Sequence, residues 1–484
     1  LGGEVGDFGF GMDNFQRVEE FSDPASSHQY YINDDKRRFT RNTYEVNGNI
    51  RKVFDSDDHT LNLYARYGNR GGTEKQNKTE YDTDASWNRD DSEPFKLRTD
   101  ESGPSDNVRV ELDYARPVGR NKGKMEAGYH FRNDSDIEDY ILETYNYGTG
   151  AWEIDPNYTK NTRYVRNIHA IYGMFRNSYK SLEYQVGLRG EYTYRNLDVT
   201  NTGENSLVDR FDFFPSVHAA YKLSDENQLM ASYSRRIDRP RGYFLEPYTT
   251  YVDENTRRQG NPDLLPEYTD SYEIGYLRTL PAGNASVEAY FRTTDNEITM
   301  IQSVDPETGI LYMQFQNLNN EQSLGVEGSF IYDFTKWYNL NLSGTYYNYR
   351  LDDRRTESGS DNVLTSNNWD LRFINSFKLK TNTRFQLNFS YESPSVEAQG
   401  REEEEYYFDF TVRQDFFKRS FNVTFEVEDI FSTREDIEHT YGENFYVYEY
   451  RKRESPIFTL TLSYRLNNFK QKQTPGGGDM GGEM

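Results

Sequence analysis

Four arginines crowd one short stretch, where Arg235, Arg236, Arg239 and Arg241 surround Asp238. A guanidinium is always charged, and its planar fork matches carboxylates and phosphates. Such a cluster serves one of two ends. It knits an ionic network into a polar wall, or it grips an anionic group on a ligand or on another domain. Further on, Gly260, Asn261, Pro262, Pro266 and Glu267 spell a rigid turn, because proline presets φ and glycine frees the backbone. Arg235, Arg236, Asp238, Arg239, Asn261, Pro262, Pro266 and Glu267 form the candidate contact site.

Catalytic and metal chemistry find less support. The chain has no cysteine, and His28, His59, His130, His169, His218 and His439 stand singly. That leaves neither a thiolate site nor a zinc-type His-x-x-x-His pair. No Gly-x-Ser-x-Gly and no phosphate-binding loop is present. Asp55, Asp57 and Asp58, and Asp90 and Asp91, offer hard oxygen ligands of the kind calcium takes. Aspartate also favours turns for its own local hydrogen bonds, and that reading is adopted. No enzyme activity and no cofactor is expected.

Composition narrows the frame that must hold the arginines. The mean hydropathy is -0.98 and 28% of residues are charged, yet Tyr 41, Phe 31 and Trp 4 bring aromatics to 16%. No run approaches the ~18 apolar residues of a membrane helix. Disordered chains are poor in aromatics. A net charge of -24 argues against nucleic acid as a partner. Polar and aromatic residues must therefore alternate in space, which a membrane barrel with a wet interior and aromatic girdles achieves.

The sequence alternates accordingly. Leu182, Tyr184, Val186, Leu188, Tyr192 and Tyr194 share one face of a strand, and Glu183, Gln185, Arg189, Glu191, Thr193 and Arg195 the other. The same pattern recurs over Arg384–Tyr391, Phe421–Glu428 and Phe458–Leu466. Short turns are expected near Asp55–Asp58, Val118–Gly123, Asn177–Lys180, Ser224–Asn227, Leu280–Gly283, Asp333–Lys336, Lys380–Asn382 and Phe416–Arg419. They interleave with longer polar connections: Gly71–Ser105, Asp136–Asn161, Asp198–Val208, Arg239–Pro266, Gln302–Gly309, Leu351–Ser366, Ser393–Glu403 and Ser432–Gly442. Strict alternation of short and long connections fits a barrel with periplasmic turns and outer loops. The fold class is thus all-β, a transmembrane antiparallel β-barrel. About 17 strands are clear, and Leu1–Val18 supplies one more to reach the even number ~18. Tyr346, Tyr347 and Tyr349 are read as an interfacial belt. The barrel is assigned to residues 1–470, and the Gly/Met-rich tail 471–484 is expected to be disordered.

Three segments carry a family resemblance. They are Tyr233-Ser-Arg-Arg-Ile-Asp-Arg-Pro240, Gly260-Asn-Pro-Asp-Leu-Leu-Pro-Glu267 and Tyr272-Glu-Ile-Gly-Tyr276, with Asn317 and Gly325-Val-Glu-Gly328 following. This set resembles the barrel signature of TonB-dependent receptors. The resemblance implies a 22-stranded outer-membrane barrel occluded by an N-terminal plug. It also implies uptake of a bound ligand with energy from an inner-membrane complex. Two departures stand out, since no plug-like sequence precedes the strands and the strand count is about four short of that family pattern. Both are accounted for if the plug and first strands are absent from this chain. The expected partners are the lipid bilayer, the plug and the energising complex, with a surface lipoprotein or other outer-membrane subunits open. The alternatives are a passive pore and a structural barrel subunit.

Overall fold

The computed structural model describes residues 1–21, 28–119, 123–252, 255–318, 320–353, 362–442 and 445–466. Its main element is a sheet of 20 strands. Two of these, Phe95–Ser102 and Ala151–Ile154, are short additions at its outer margin. The other 18 form the wall in chain order. The first nine are β1 (Gly2–Phe21), β2 (His28–Val53), β3 (Thr60–Thr83), β4 (Ser105–Val118), β5 (Gly123–Asn146), β6 (Lys160–Tyr179), β7 (Leu182–Val199), β8 (Glu204–Lys222) and β9 (Asn227–Asp238). The remainder are β10 (Glu267–Leu280), β11 (Gly283–Asp295), β12 (Asn320–Thr335), β13 (Tyr338–Asp353), β14 (Asn362–Lys378), β15 (Thr383–Glu392), β16 (Glu405–Phe416), β17 (Phe421–Glu428) and β18 (Ile457–Tyr464). Each pairs antiparallel with its neighbour. Among the described residues β1 pairs only with β2, and β18 only with β17.

Strand β7 shows which face is which. Val186 and Leu188 are 48% and 55% exposed, while Glu191, Thr193 and Arg195 are 7%, 3% and 5% exposed. A water-soluble sheet would bury the first set and expose the second. Here the apolar face meets lipid and the polar face lines the interior, so the chain is an outer-membrane β-barrel. Aromatic stacks mark the short-turn end, with Tyr338 5.0 Å from Phe377 and 5.5 Å from Phe334. Among the described residues the short turns stand where the sequence places them; positions 120–122 of the Val118–Gly123 turn lie outside those residues.

The long connections differ from expectation. Gly71–Ser105 and Asp136–Asn161 are largely strand, because β3 runs to Thr83, Phe95–Ser102 pairs with it, and β5 runs to Asn146. Above the membrane both faces of a strand are wet. Backbone pairing continues there without the apolar alternation that announces a strand. Connections Arg239–Pro266 and Gln302–Gly309 contribute to a four-stranded sheet of Thr249–Tyr251, Thr256–Gln259, Leu311–Asn317 and Ile298–Val304. Thr256–Gln259 and Leu311–Asn317 pair in parallel, which ties one outer loop to the next. The three tyrosines also divide. Tyr346 is 57% exposed, but Tyr347 lies opposite Gly325 and Asn368 on the other face, and Tyr349 packs on buried Leu318 and Leu351. Only Tyr346 fits a lipid-side belt, since i and i+1 cannot share a strand face. The tail assignment 471–484 lies outside the described residues.

Candidate functional site

The loop between β9 and β10 folds against the inner wall. Leu245 and Leu264, 0% and 2% exposed, pack on Tyr164 of β6 and Leu197 of β7. Burying such a side chain stabilises by about 1.5–3 kcal/mol. Phe244 stacks on Phe315 of the next loop at 3.8 Å. Gly260 is required here, for a Cβ would lie 2.4 Å from the Glu246 carbonyl oxygen.

Most of the candidate residues bind this loop in place. Arg239 donates to Glu191 Oε2 at 2.6 Å and to Thr193 Oγ1 at 3.1 Å. The Pro262 carbonyl accepts from Arg195 Nη2 and Ser206 Oγ, each at 3.1 Å. Asn261 Nδ2 donates to the Phe315 carbonyl at 3.1 Å, and Glu267 accepts the Ile298 N–H at 2.6 Å. The Pro266 carbonyl accepts from Asn296 Nδ2 at 3.5 Å. Asn317 adds bonds to Leu265 N, Leu265 O and Asn296 O.

Arg235 works in the wall itself. The β8–β9 ladder stops at Ser216–Ser234, next to Pro215, which has no N–H to donate. Beyond it side chains of β10 take over, one holding β9 and one reaching across to β8. Arg235 pairs with Asp270 at 3.1 Å and lies over the Tyr268 ring, whose hydroxyl donates to Asp212 at 2.6 Å and also meets Arg210. Arg236 and Asp238 are the exceptions. Both are exposed, with no hydrogen bond or ion pair among the described residues. Sequence reasoning missed Glu191, Thr193, Arg195, Asp212, Tyr268 and Asp270 as partners. Alternation places Glu191, Thr193 and Arg195 inward, but only the strand register shows what they meet.

Three carboxylates gather where the loop docks. Glu246 of the loop, Glu138 of β5 and Glu101 of Phe95–Ser102 lie well beyond the ~9–11 residues that cross the membrane. Burial pushes each carboxyl up to about 7. Arg258 opposes that rise at all three, and Arg37 opposes it at Glu101. Tyr248 donates to Glu138 at 3.4 Å.

Two further features face the lumen. Glu111, Asp113 and His130 place potential ligand atoms within 4.8 Å of one another. His130 already meets Asp113 at 2.8 Å and Arg189 at 3.2 Å, while Arg109 holds Glu111, so the cluster reads as an ionic network. The aspartates considered for calcium make local bonds instead, Asp55 to His59 and Asp90 to the Ser92 N–H. On β10–β12, Glu288 stands directly opposite Glu327 and next to Glu273. Glu273 is satisfied by Ser232 and Ser271 and pairs with Arg292 at 3.8 Å. Glu288 and Glu327 have no hydrogen bond or ion pair among the described residues.

Wall, wet lumen and in-folded loop define a transmembrane β-barrel. The chain belongs to the outer membrane protein beta-barrel family, whose model matches residues 52–464. No curated protein matches it by sequence. Solved structures similar in fold include the copper transporter OprC, with a TM-score of 0.55, 13% identity, 95% of this chain and 79% of that one. The ferric citrate transporter FecA gives 0.55 and 15%, covering 95% and 78%. The ferric-catecholate import receptor Fiu from K12 E. coli gives 0.53 and 11%, covering 95% and 80%. At these identities the likeness is one of fold, and it agrees with the TonB-dependent receptor signature of residues 233–276.

Proposed function

We propose that this barrel is the channel of an outer-membrane receptor that imports a bound ligand past a plug seated in its lumen. The observation that carries the reading is the Glu288–Glu327 pair. Like charges directly opposite on neighbouring strands destabilise a sheet, and the nearby Arg292 is already shared with Glu273, so the two carboxylates call for a further basic partner inside the barrel. A cavity of about 310 Å³ opens beside Glu288, lined also by Arg176, Glu183, His218, Met230 and Glu273, so that three carboxylates face one arginine. Its mixture of carboxylates and methionine suits the apolar stem and charged head of a lysine or arginine side chain. Arg236 and Asp238, exposed and unbonded, are the signature residues left to meet the plug or the ligand. Uptake energised from the inner membrane is the part of the reading that rests on the signature, and the transporters and import receptor of similar fold support it.

The test is electrical. The protein expressed from its complete gene should hold planar bilayers nearly closed, and Glu288→Lys with Glu327→Lys should make them leak. Steady, wide conductance by the unmodified protein would instead identify a passive pore.

A further inference from the structure

The inner mouth of the wall carries a second charged ladder, of opposite sign. Lys378 of β14 stands directly opposite Arg384 of β15, and Arg384 directly opposite Arg413 of β16. All three lie on the face that includes Gln386, Asn388 and Thr411, the polar interior side. One carboxylate serves the row. Asp415, 6% exposed, holds Arg413 at 3.0 Å and reaches Arg384 only at 3.9 Å. Lys378 has no hydrogen-bonded or ionic side-chain partner among the described residues, and neither does Lys336 in the nearby turn. A cavity of about 980 Å³ opens there, lined by Lys336, Trp337, Lys378, Arg384 and Arg413, with Asp333 its one acidic lining residue, hydrogen-bonded to Asn339. The chain carries a net charge of -24, so a cation-rich patch runs against its background.

We propose that this ladder docks an acidic segment of the plug, an inference that rests on the reading of a plugged receptor. Three like charges in a row are unfavourable when empty, and a set of anions spaced to match reverses the sign. Neighbouring strands are ~4.8 Å apart, so the row spans roughly 10 Å. A single small anion cannot cover that length. Carboxylates one helical turn apart, about 5–6 Å between Cβ atoms, can. The acidic arc on β10–β12 and the basic arc on β14–β16 then face complementary patches of one inserted domain. A body carrying both patches fits the lumen in one rotational setting, which makes the pair a key for orientation as well as an anchor.

Photo-crosslinking in intact outer membranes tests this. A benzophenone amino acid is placed at position 378, at 336 and, as a control, at 288. Lys378 and Lys336 hold no ion pair, so replacing them leaves the wall's own bonds intact. The expected result is a crosslink from 378 and 336 to a segment rich in aspartate and glutamate, and one from 288 to a basic segment. Crosslinks from 288 with none from 378 and 336, or with a non-acidic segment or lipid there, overturn the ladder while leaving the plug reading in place. No polypeptide crosslink from any of the three overturns both. As a second readout, Lys336→Glu with Lys378→Glu should raise bilayer leak roughly tenfold, since charge reversal removes and then repels the partner. Unchanged leak overturns the proposal.

Discussion

The outer and inner ends of this barrel treat charge in opposite ways. At the outer end Arg239 pairs with Glu191 and Arg235 with Asp270, while Arg195 donates to a loop carbonyl. From mid-strand to the inner mouth, Glu288 faces Glu327, and Lys378 faces Arg384, which in turn faces Arg413, with Asp415 as their carboxylate partner. Saturated pairs hold an architecture together. Unsaturated rows wait for a counter-surface. The conspicuous arginine signature is thus mainly structural, and the quieter charges on plain strands carry the case for recognition.

The contrast can be broken most forcefully at the outer end. Replacing Leu245 or Leu264 with Ala removes a fully buried side chain from the contact between loop and wall. A loss of about 2–5 kcal/mol is expected, enough to undock the loop. Hydrogen exchange over residues 244–264 should rise sharply while β6 and β7 stay protected. If the loop's protection is unchanged, its apolar contact is not what holds it. Arg239→Ala should come next. It strips one of two guanidiniums from nearly buried Glu191, at a cost of about 1–3 kcal/mol. Arg239→Lys should recover only part, because an ammonium cannot supply the same fork. Thermal unfolding in detergent reads the difference, and full recovery by Lys would reduce the contact to simple charge.

How much of this was legible beforehand follows from period and register. Alternation alone gave the faces of β7, so Glu191 and Arg195 were known to point inward. The interleaving of turns and loops gave the topology and the strand count. What stayed hidden is pairing. No pattern in residues 204–216 announces that β8 parts from β9, although Pro215 is a trace of it. The parallel pairing of Thr256–Gln259 with Leu311–Asn317 joins loops that are separate in sequence, and nothing local in either segment signals it. The Glu288–Glu327 and Lys378–Arg384–Arg413 rows are invisible until register sets residues side by side. The signature drew attention to Arg235 and Arg239 because they cluster in sequence, yet clustering in space decides what a charge can recognise.

Acidity offers a gentler probe of the outer end. Glu246, Glu138 and Glu101 have carboxyls raised from the ordinary 4.5 to about 7 when the loop is docked. A raised value means that docking takes up protons. The stabilisation is therefore complete below about 4.5 and is lost as pH climbs towards 7. Arg258, Arg37, Glu74, Asp136 and Tyr248 surround these groups, and burial raises the Glu74 and Asp136 carboxyls as well, so both act in the same direction. Hydrogen exchange of residues 244–264, corrected for its intrinsic pH dependence, should show the loop loosening between pH 5 and 7 and levelling above. Glu246→Gln should flatten that slope. A loop whose protection ignores pH, or a Gln variant with the same slope, would remove these carboxylates from the latch.

The smallest effect has the most informative sign. Glu288→Gln or Glu327→Gln removes half of a like-charge pair on adjacent strands, which should stabilise the isolated wall by about 0.2–1 kcal/mol. The same substitution at a satisfied outer carboxylate, Glu191→Gln, should destabilise it, because Glu191 accepts from both Arg189 and Arg239. Opposite signs from chemically identical changes would separate recognition from architecture directly. Comparative unfolding of the three variants in one detergent decides it. If Glu288→Gln and Glu327→Gln also destabilise, each carboxylate has a stabilising partner within the wall, and the inner row loses its claim on a basic plug.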